Sequence, residues 1–328
     1  MKRRCWYAAL AALLMTGSVG VFAAGDGASS LRVVSWNVQT FFDAVTDGTE
    51  YADFKGTKSR WSAQRYGTRL ERLATALRAL DADVVVLEEL EKEAQLYDIY
   101  NQLAGTFRLS TLYAYGCFVA ETGAAVGCGV LSRYPITDAR VHALDISTEN
   151  AVPPAMRPLL ELRVQRGERT LALFVCHWKS KLGDGGAVWR RHQERVLADR
   201  MACAVADGIP ALACGDFNMD VLEFTPLHFD NAGDAASSAT VVLRGTRPLA
   251  VYAPWLDNAD VCADGSYWYR GAWERIDNFF ACGAVILHDF RVERDGDWAD
   301  ADGRPVRYDV WTGAGYSDHL PISCTVEF

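Results

Sequence analysis

The chain reads as an α/β protein: two mostly antiparallel β-sheets packed face to face, helices outside, in one domain. Three observations predict this. Apolar strand-like runs alternate with amphipathic helical patterns early in the chain. Strand-like runs then crowd together with little helix between them. Short polar clusters stand at the ends of the apolar runs, where a scaffold of strands presents a site. Half of the 328 residues are hydrophobic, enough for a large core, and no repeat of fixed period is visible.

Residues 1–23 read as an export signal. Lys2, Arg3 and Arg4 form a basic start, 8–22 is apolar and small, and Val21-Phe22-Ala23 supplies the small residues a signal peptidase needs, with the cut after Ala23 or Ala24. The apolar run is short for a membrane span and holds Gly17, Ser18 and Gly20, so no transmembrane segment is expected in the mature chain. No cysteine follows the cut to take a lipid anchor. The expectation is a periplasmic or secreted monomer, with no stable protein partner implied and residues 24–328 forming a single domain.

Cleavage removes three positive charges and no acid, taking the net charge from −9 to −12. Such a chain does not coat nucleic acid non-specifically; a metal ion and a local basic rim would have to supply the attraction to a nucleic-acid substrate. Of nine cysteines, Cys5 lies in the signal. The other eight are Cys117, Cys128, Cys176, Cys203, Cys214, Cys262, Cys282 and Cys324. An even count in an exported protein suggests disulfides. Cys117–Cys128, which closes a short Gly-rich loop, is the pair expected, while Cys176, Cys214 and Cys324 also suit buried thiols inside apolar strands. No C-x-x-C occurs, which argues against zinc.

The elements follow in order. Leu31 to Val38 is a buried strand. From Ser62 to Leu80, Leu70, Leu73, Leu77 and Leu80 fall at helical spacing, and Asp81-Ala82-Asp83 ends the helix. Val84 to Leu87 is an apolar strand closed by Glu88-Glu89. A second helix, about Lys92 to Leu103, carries Leu96, Ile99, Tyr100 and Leu103. Strands are expected at Phe107–Tyr115, Cys128–Arg133, Leu159–Val164 and Leu171–His177. A helix over Val188–Ala206 and a strand over Ile209–Cys214 come next. Residues 222–270, irregular and aromatic, read as a long surface excursion. Ile276–Ile286, Arg304–Trp311 and Pro321–Phe328 complete the strands.

The polar residues at these strand ends are Asn37, Glu89, His177, Asp216, Asn218, Asp277, Asp318 and His319. Oxygen-bearing acids and amides without a thiolate suit a hard cation, Mg²⁺ or else Mn²⁺ or Ca²⁺. Histidines beside carboxylates suit general base work near neutral pH. Together these match phosphate-ester hydrolysis: a metal offsets charge on the non-bridging oxygens, a base activates water, and fixed donors hold the transition state.

The ordered set resembles the endonuclease/exonuclease/phosphatase (DNase I-like) superfamily. The matching stretches are Ser-Trp-Asn-Val at 35–38, Val-Leu-Glu-Glu at 86–89, Cys-His-Trp-Lys-Ser at 176–180, Gly-Asp-Phe-Asn at 215–218, Arg-Ile-Asp at 275–277 and Ser-Asp-His-Leu-Pro at 317–321. They span nearly the whole mature chain in family order. The resemblance implies a four-layer α/β sandwich and metal-dependent phosphoester hydrolysis. It implies that Asn37 and Glu89 bind the metal, with Asp318 on or near it, that His319 is the base, and that Asp277 orients it. His177 and Asn218 would bind the scissile phosphate, and Asp216 would orient water or assist the leaving group. Family members often carry Gln where this chain has Glu88; the extra carboxylate is either a further ligand or, as alternation along the strand favours, turned to the face opposite Glu89. Lys179, Lys181, Arg190 and Arg191, close to His177, favour a secreted nuclease. A phosphatase or sphingomyelinase-like lipid phosphodiesterase is the alternative, and an inactive binding protein of the same fold is a third reading.

Overall fold

The run at 31–38 becomes the middle of a sheet because it is apolar on both faces: Val33 joins one core cluster, Val34 and Trp36 another. The computed structural model describes residues 4–7, 29–56, 58–105, 112–144, 156–181, 186–226, 239–257 and 264–328. In chain order the elements are β1 (Arg4–Tyr7), β2 (Ser30–Phe41), α1 (Ala63–Leu80), β3 (Val84–Leu90), α2 (Ala94–Ala104), β4 (Tyr115–Val119), β5 (Gly127–Ser132) and β6 (Ile136–His142). Then come β7 (Leu159–Arg166), β8 (Arg169–His177), α3 (Gly186–Ala206), β9 (Ala211–Asp216), β10 (Thr225–Pro226), β11 (Thr240–Arg244), β12 (Pro248–Tyr252) and α4 (Pro254–Asp257). A small hairpin, β13 (Tyr267–Tyr269) and β14 (Ala272–Glu274), precedes β15 (Asp277–Cys282), β16 (Ile286–Val292) and β17 (Ile322–Glu327).

The first sheet has the order β1-β4-β5-β3-β2-β17-β16 and the second β10-β11-β12-β15-β9-β8-β7-β6. Neighbours are antiparallel except β2 with β3 and β8 with β9. Each sheet therefore holds one parallel pair flanked by an antiparallel strand, β17 beside β2 and β15 beside β9. Cys214 of β9 and Cys324 of β17 share the core between the sheets. Helices α1 and α2 cover the first sheet through Leu73, Leu77, Leu80, Leu96 and Ile99. Helix α3 covers the second through Leu197 and Met201. Full burial of each such side chain contributes about 1.5–3 kcal/mol. This is the four-layer sandwich expected. Ser62 caps α1 by accepting the Arg65 N–H at 3.3 Å, and Asp81 ends it in the left-handed region.

Several expectations are corrected. The strand placed at Phe107–Tyr115 begins only at Tyr115; residues 106–111 lie outside the described ones. The apolar run Ile276–Ile286 is two strands, not one. Gly283, at φ +86°, turns the chain between them, and β15 belongs to the second sheet while β16 belongs to the first. Arg304–Trp311 forms no strand: Pro305 lacks a donor, and Asp309 accepts the N–H groups of Trp311 and Thr312 in a tight turn. The described part of 222–270 is more ordered than a surface excursion, since β10–β12 extend the second sheet.

The Cys117–Cys128 bridge does not form, and Cys128 is a free thiol. Cys117 stands opposite Val130, and Cys128 opposite Val119, so the two cysteines are diagonal neighbours on β4 and β5. Diagonal side chains stand roughly 7–8 Å apart, beyond the ~4 Å between Cβ atoms that a disulfide needs. Cys262 lies outside the described residues. Of the expected leader, only 4–7 is described, as β1 paired along the open edge of β4.

Candidate active site

All the strand-end residues fall at one end of the two sheets. Asn37 and Glu89 come from the ends of the parallel pair β2 and β3. His177 and Asp216 end the parallel pair β8 and β9 and stand in register with each other. Asp277 opens β15 opposite Asp216, and Asp318 and His319 lie just before β17. A crevice at the carboxyl ends of parallel strands results. Across the gap between the sheets, Asn37 Nδ2 donates to Asp216 Oδ2 at 3.1 Å and lies 3.3 Å from Glu89 Oε1. The cleft measures about 1020 Å³.

Backbone strain concentrates here. Glu89 is a bulge residue at φ +69°, facing Gln39 (+50°) and Thr40 (+43°) on β2, and Asn218 is at +48°. Non-glycine residues held there cost about 1–3 kcal/mol each. The bulge turns Glu89 into the mouth, where its Oε2 accepts the Thr40 N–H at 2.5 Å. Arg69 of α1, fully buried, holds the strained loop. It donates to the carbonyls of Val38 (2.8 Å), Thr40 (2.9 Å) and Gln39, and its guanidinium lies 3.8 Å over the Tyr308 ring. Gly215, at φ +135°, brings β9 against β8: a Cβ there would stand 1.9 Å from the Cys176 carbonyl oxygen, so only glycine fits.

His319 is fixed on every side. Its Nδ1–H donates to Asp277 Oδ2 at 2.9 Å, and the Ser266 hydroxyl donates to the same oxygen at 2.6 Å. Trp36 Nε1 donates to its carbonyl, and the Ser317 hydroxyl accepts its N–H. The ring of Tyr267 covers the imidazole, centroids 4.5 Å apart. This leaves Nε2 at the cleft, 4.0 Å from Asp318 Oδ1. Burial opposes charge on His319, but the Asp277 carboxylate, with Asp216 and Asp318 nearby, outweighs it and holds the pKa well above the ordinary value.

His177 behaves oppositely. Burial, then the charges of Arg157 and His319, push it well below the ordinary value, which favours the neutral imidazole. Its Nε2 lies 3.7 Å from Glu89 Oε1 and 3.8 Å from Asp216 Oδ2. Asn218 folds back on Asp216, its N–H donating to Oδ1 at 2.8 Å and its Nδ2 to Oδ2 at 3.0 Å. Burial and the neighbouring Asp277 raise Asp216. Glu88 points between the sheets, as alternation indicated. It accepts the Ser35 hydroxyl at 3.0 Å, and burial, then Asp277 and Asp216, hold it well above the carboxylate range.

The donor chemistry suits a hard divalent cation. Among the described residues Asp216, Asp277 and His319 have ligand atoms within 4.8 Å of one another. The near oxygen of Asp277 is, however, already used by Ser266 and His319, and the Asp216 and Asp277 side chains are only 3% exposed. Glu89 and Asp318 are open to the cleft, at 18% and 21%. Burial and the neighbouring Glu89 charge raise Asp318, the signature of two facing carboxylates that a cation would relieve. Asp47, Glu50 and Glu91 form a second acidic group, but Lys92 lies 3.3 Å from Asp47 and 3.0 Å from Glu91.

The basic rim differs from the one expected. Lys179 and Lys181 both line the cleft, Lys181 with its charge paired to Glu274 (2.6 Å) and Glu223 (3.3 Å). Arg190 is buried against the Lys179 carbonyl, and Arg191 is exposed but does not line the cleft. Sequence reasoning passed over Arg157 and Arg307, which do line it, and Ser266 and Arg69, which hold the site. None of these four carries a local signal beyond its residue type. Tyr267, from the aromatic stretch at 267–269, packs on the imidazole.

Residues 34–319 match the Endonuclease/Exonuclease/phosphatase family. Among solved structures, truncated Caenorhabditis elegans TDP2 is similar at 16% identity, covering 91% of this chain and 98% of that one, with a TM-score of 0.58. D. rerio TDP2 complexed with a single-strand DNA product is similar at 18% identity, 92% and 100% coverage, TM-score 0.57. A Bacteroides thetaiotaomicron mannosyl-6-phosphatase is similar at 16% identity, 91% and 100% coverage, TM-score 0.52. No curated protein matches the chain by sequence. With the match running from β2 to His319 and the shared fold behind it, the chain belongs to the endonuclease/exonuclease/phosphatase family, whose members hydrolyse phosphate esters.

Proposed function

We propose that the chain is a divalent-metal-dependent phosphodiesterase that cuts nucleic acid. The observation that carries the reading is the Asp277–His319 pair, whose free Nε2 opens on a cleft where Glu89 and Asp318 present carboxylates. Asn37, Glu89 and Asp318 would hold the cation. When bound, it offsets charge on the non-bridging oxygens of the phosphate. Once deprotonated, above its raised pKa, His319 Nε2 takes a proton from the attacking water as the new P–O bond forms, and Asp277 stabilises the imidazolium that results. The neutral His177, with Asn218, contacts the scissile phosphate. Asp216 orients the water, or gives a proton to the leaving oxygen as the old P–O bond breaks. Arg157, Lys179 and Arg307, with Tyr51, Tyr269 and Trp311, line a cleft that suits a polyanion bearing flat bases. The D. rerio neighbour holding a DNA product supports the nucleic-acid reading, and the mannosyl-6-phosphatase marks the competing one.

The test is a panel of plasmid DNA, RNA, bis-p-nitrophenyl phosphate, sphingomyelin and sugar or inositol phosphates, each with Mg²⁺, Mn²⁺, Ca²⁺ or EDTA. Cleavage of nucleic acid that stops in EDTA and returns on adding metal is expected. Release of phosphate from monoesters alone would replace the nuclease reading with a phosphatase. The same proposal places the enzyme in the periplasm or outside the cell, on the basic start and the apolar run after it. Fractionation and N-terminal sequencing of the native protein should find a chain beginning at residue 24 or 25; a cytoplasmic chain retaining Met1 or Lys2 refutes it.

A further inference from the structure

The His177 wall of the cleft carries more positive charge than the hydrolysis above employs. Arg157 lies just before β7 and lines the cleft, donating through Nη1 to the Trp178 carbonyl at a long 3.4 Å. Lys179 follows His177 by two residues and lines the same wall. Behind it Arg190 of α3 donates to the Lys179 carbonyl at 3.0 Å, and the buried Nε of Arg190 has no partner. Among the described residues no carboxylate lies within ion-pair distance of any of the three, whereas Lys181 next door is held by two.

The two guanidinium groups press on Lys179. Burial, then Arg157 and Arg190, push the Lys179 ammonium below its ordinary value, and Arg157 also disfavours charge on His177. Crowding like charges is unfavourable in the free protein and is relieved by an anion. Arg157 also meets the Tyr51 hydroxyl, another group of the cleft, and its remaining guanidinium donors are left to such a ligand. The two residues from His177 to Lys179 can span at most about 7 Å, comparable to the spacing of neighbouring phosphates along an extended nucleic-acid strand.

We propose that Arg157 and Lys179 form a second anion subsite beside His177 that takes another phosphate of the substrate, not the one being cut. This rests on the phosphodiesterase reading and deepens it: the preferred substrate carries at least two phosphates. The second comes either from the next linkage of a nucleic-acid strand or from a polyphosphorylated small molecule.

Arg157→Ala, Arg157→Lys and Lys179→Ala test it in two ways. In EDTA, binding of a fluorescent eight-nucleotide thymidine oligonucleotide is followed against salt. Each alanine variant should bind about ten-fold more weakly at 50 mM salt, and the slope of log affinity against log salt should fall by about one, the contribution of one phosphate contact. Arg157→Lys should keep the slope. With metal, kcat/KM should fall about ten-fold more on a trinucleotide, which has two phosphates, than on a dinucleotide, which has one. Equal losses on both substrates with an unchanged slope would make Arg157 a structural staple and overturn the proposal. Loss of inositol polyphosphate turnover, with oligonucleotides uncut by any form, would support the subsite while removing the nuclease reading. If the wild type cuts nothing, the metal-free slopes still decide the subsite separately.

Discussion

His319→Ala is expected to lower kcat by about 10³–10⁴-fold with little change in KM, measured on the best substrate of the panel at saturating metal. A positioned general base contributes about 10²–10⁴-fold, and this one has no understudy. His177, the other imidazole in the cleft, is pushed towards neutrality by burial and faces carboxylates rather than an orienting partner. The fold should survive. The hydrogen bonds that fix this loop run through the backbone of His319 and the Ser317 hydroxyl, and Ser266 still satisfies Asp277. The cost is about 1–3 kcal/mol, one buried hydrogen bond, readable as a modest fall in denaturant midpoint. Activity within ten-fold of wild type would remove His319 from the mechanism. Asp277→Asn sharpens the test through pH. The Asp277 carboxylate raises the pKa of His319, so removing its charge lets the imidazole deprotonate at lower pH. The acidic limb of the rate profile should therefore move down in pH while the maximum rate falls. An unmoved limb would mean that another group titrates there.

Glu89→Gln should abolish the response to metal before anything else. The side chain keeps its size, and its amide oxygen can still accept the Thr40 N–H that steadies the bulge. What disappears is the negative charge facing Asp318. Affinity for Mn²⁺ by calorimetry should drop at least 100-fold, and turnover at fixed metal by about 10³-fold. A ligand at 100 times its Kd stabilises the folded state by about 2.7 kcal/mol, so wild type should gain several degrees in Tm on adding metal. The variant should gain almost none. An unchanged metal-induced rise would show that the cation sits elsewhere, with Asp216, Asp277 and His319 the next group to substitute.

The parts of this protein legible in the sequence are those where chemistry restricts residue type. Asn37, Glu89, His177, Asp216, Asn218, Asp277, Asp318 and His319 each end or begin an apolar run, and strand ends meeting in one crevice bring all eight together. The helix α1 was legible because its leucines repeat at helical spacing between a capping serine and an aspartate stop. What stayed hidden depends on where the chain turns. Ile276–Ile286 looks like one continuous strand, and only the conformation at Gly283 sends its second half to the other sheet. Arg157 is one arginine among many until folding sets it beside His177. The cysteines at 117 and 128 are close in sequence but offset diagonally by the β4–β5 register.

The strand that seats His319 sets the timing of assembly. β17 lies between β2 and β16, so the middle of the first sheet joins residues near 30–35 to residues near 322–327. Contacts so distant in sequence are slow to form, and until they do β2 has no neighbour on that side. A chain without this strand lacks the pairing that holds Asp318 and His319 beside β2. The site is complete only once this last strand, which follows Asp318 and His319, has closed the sheet.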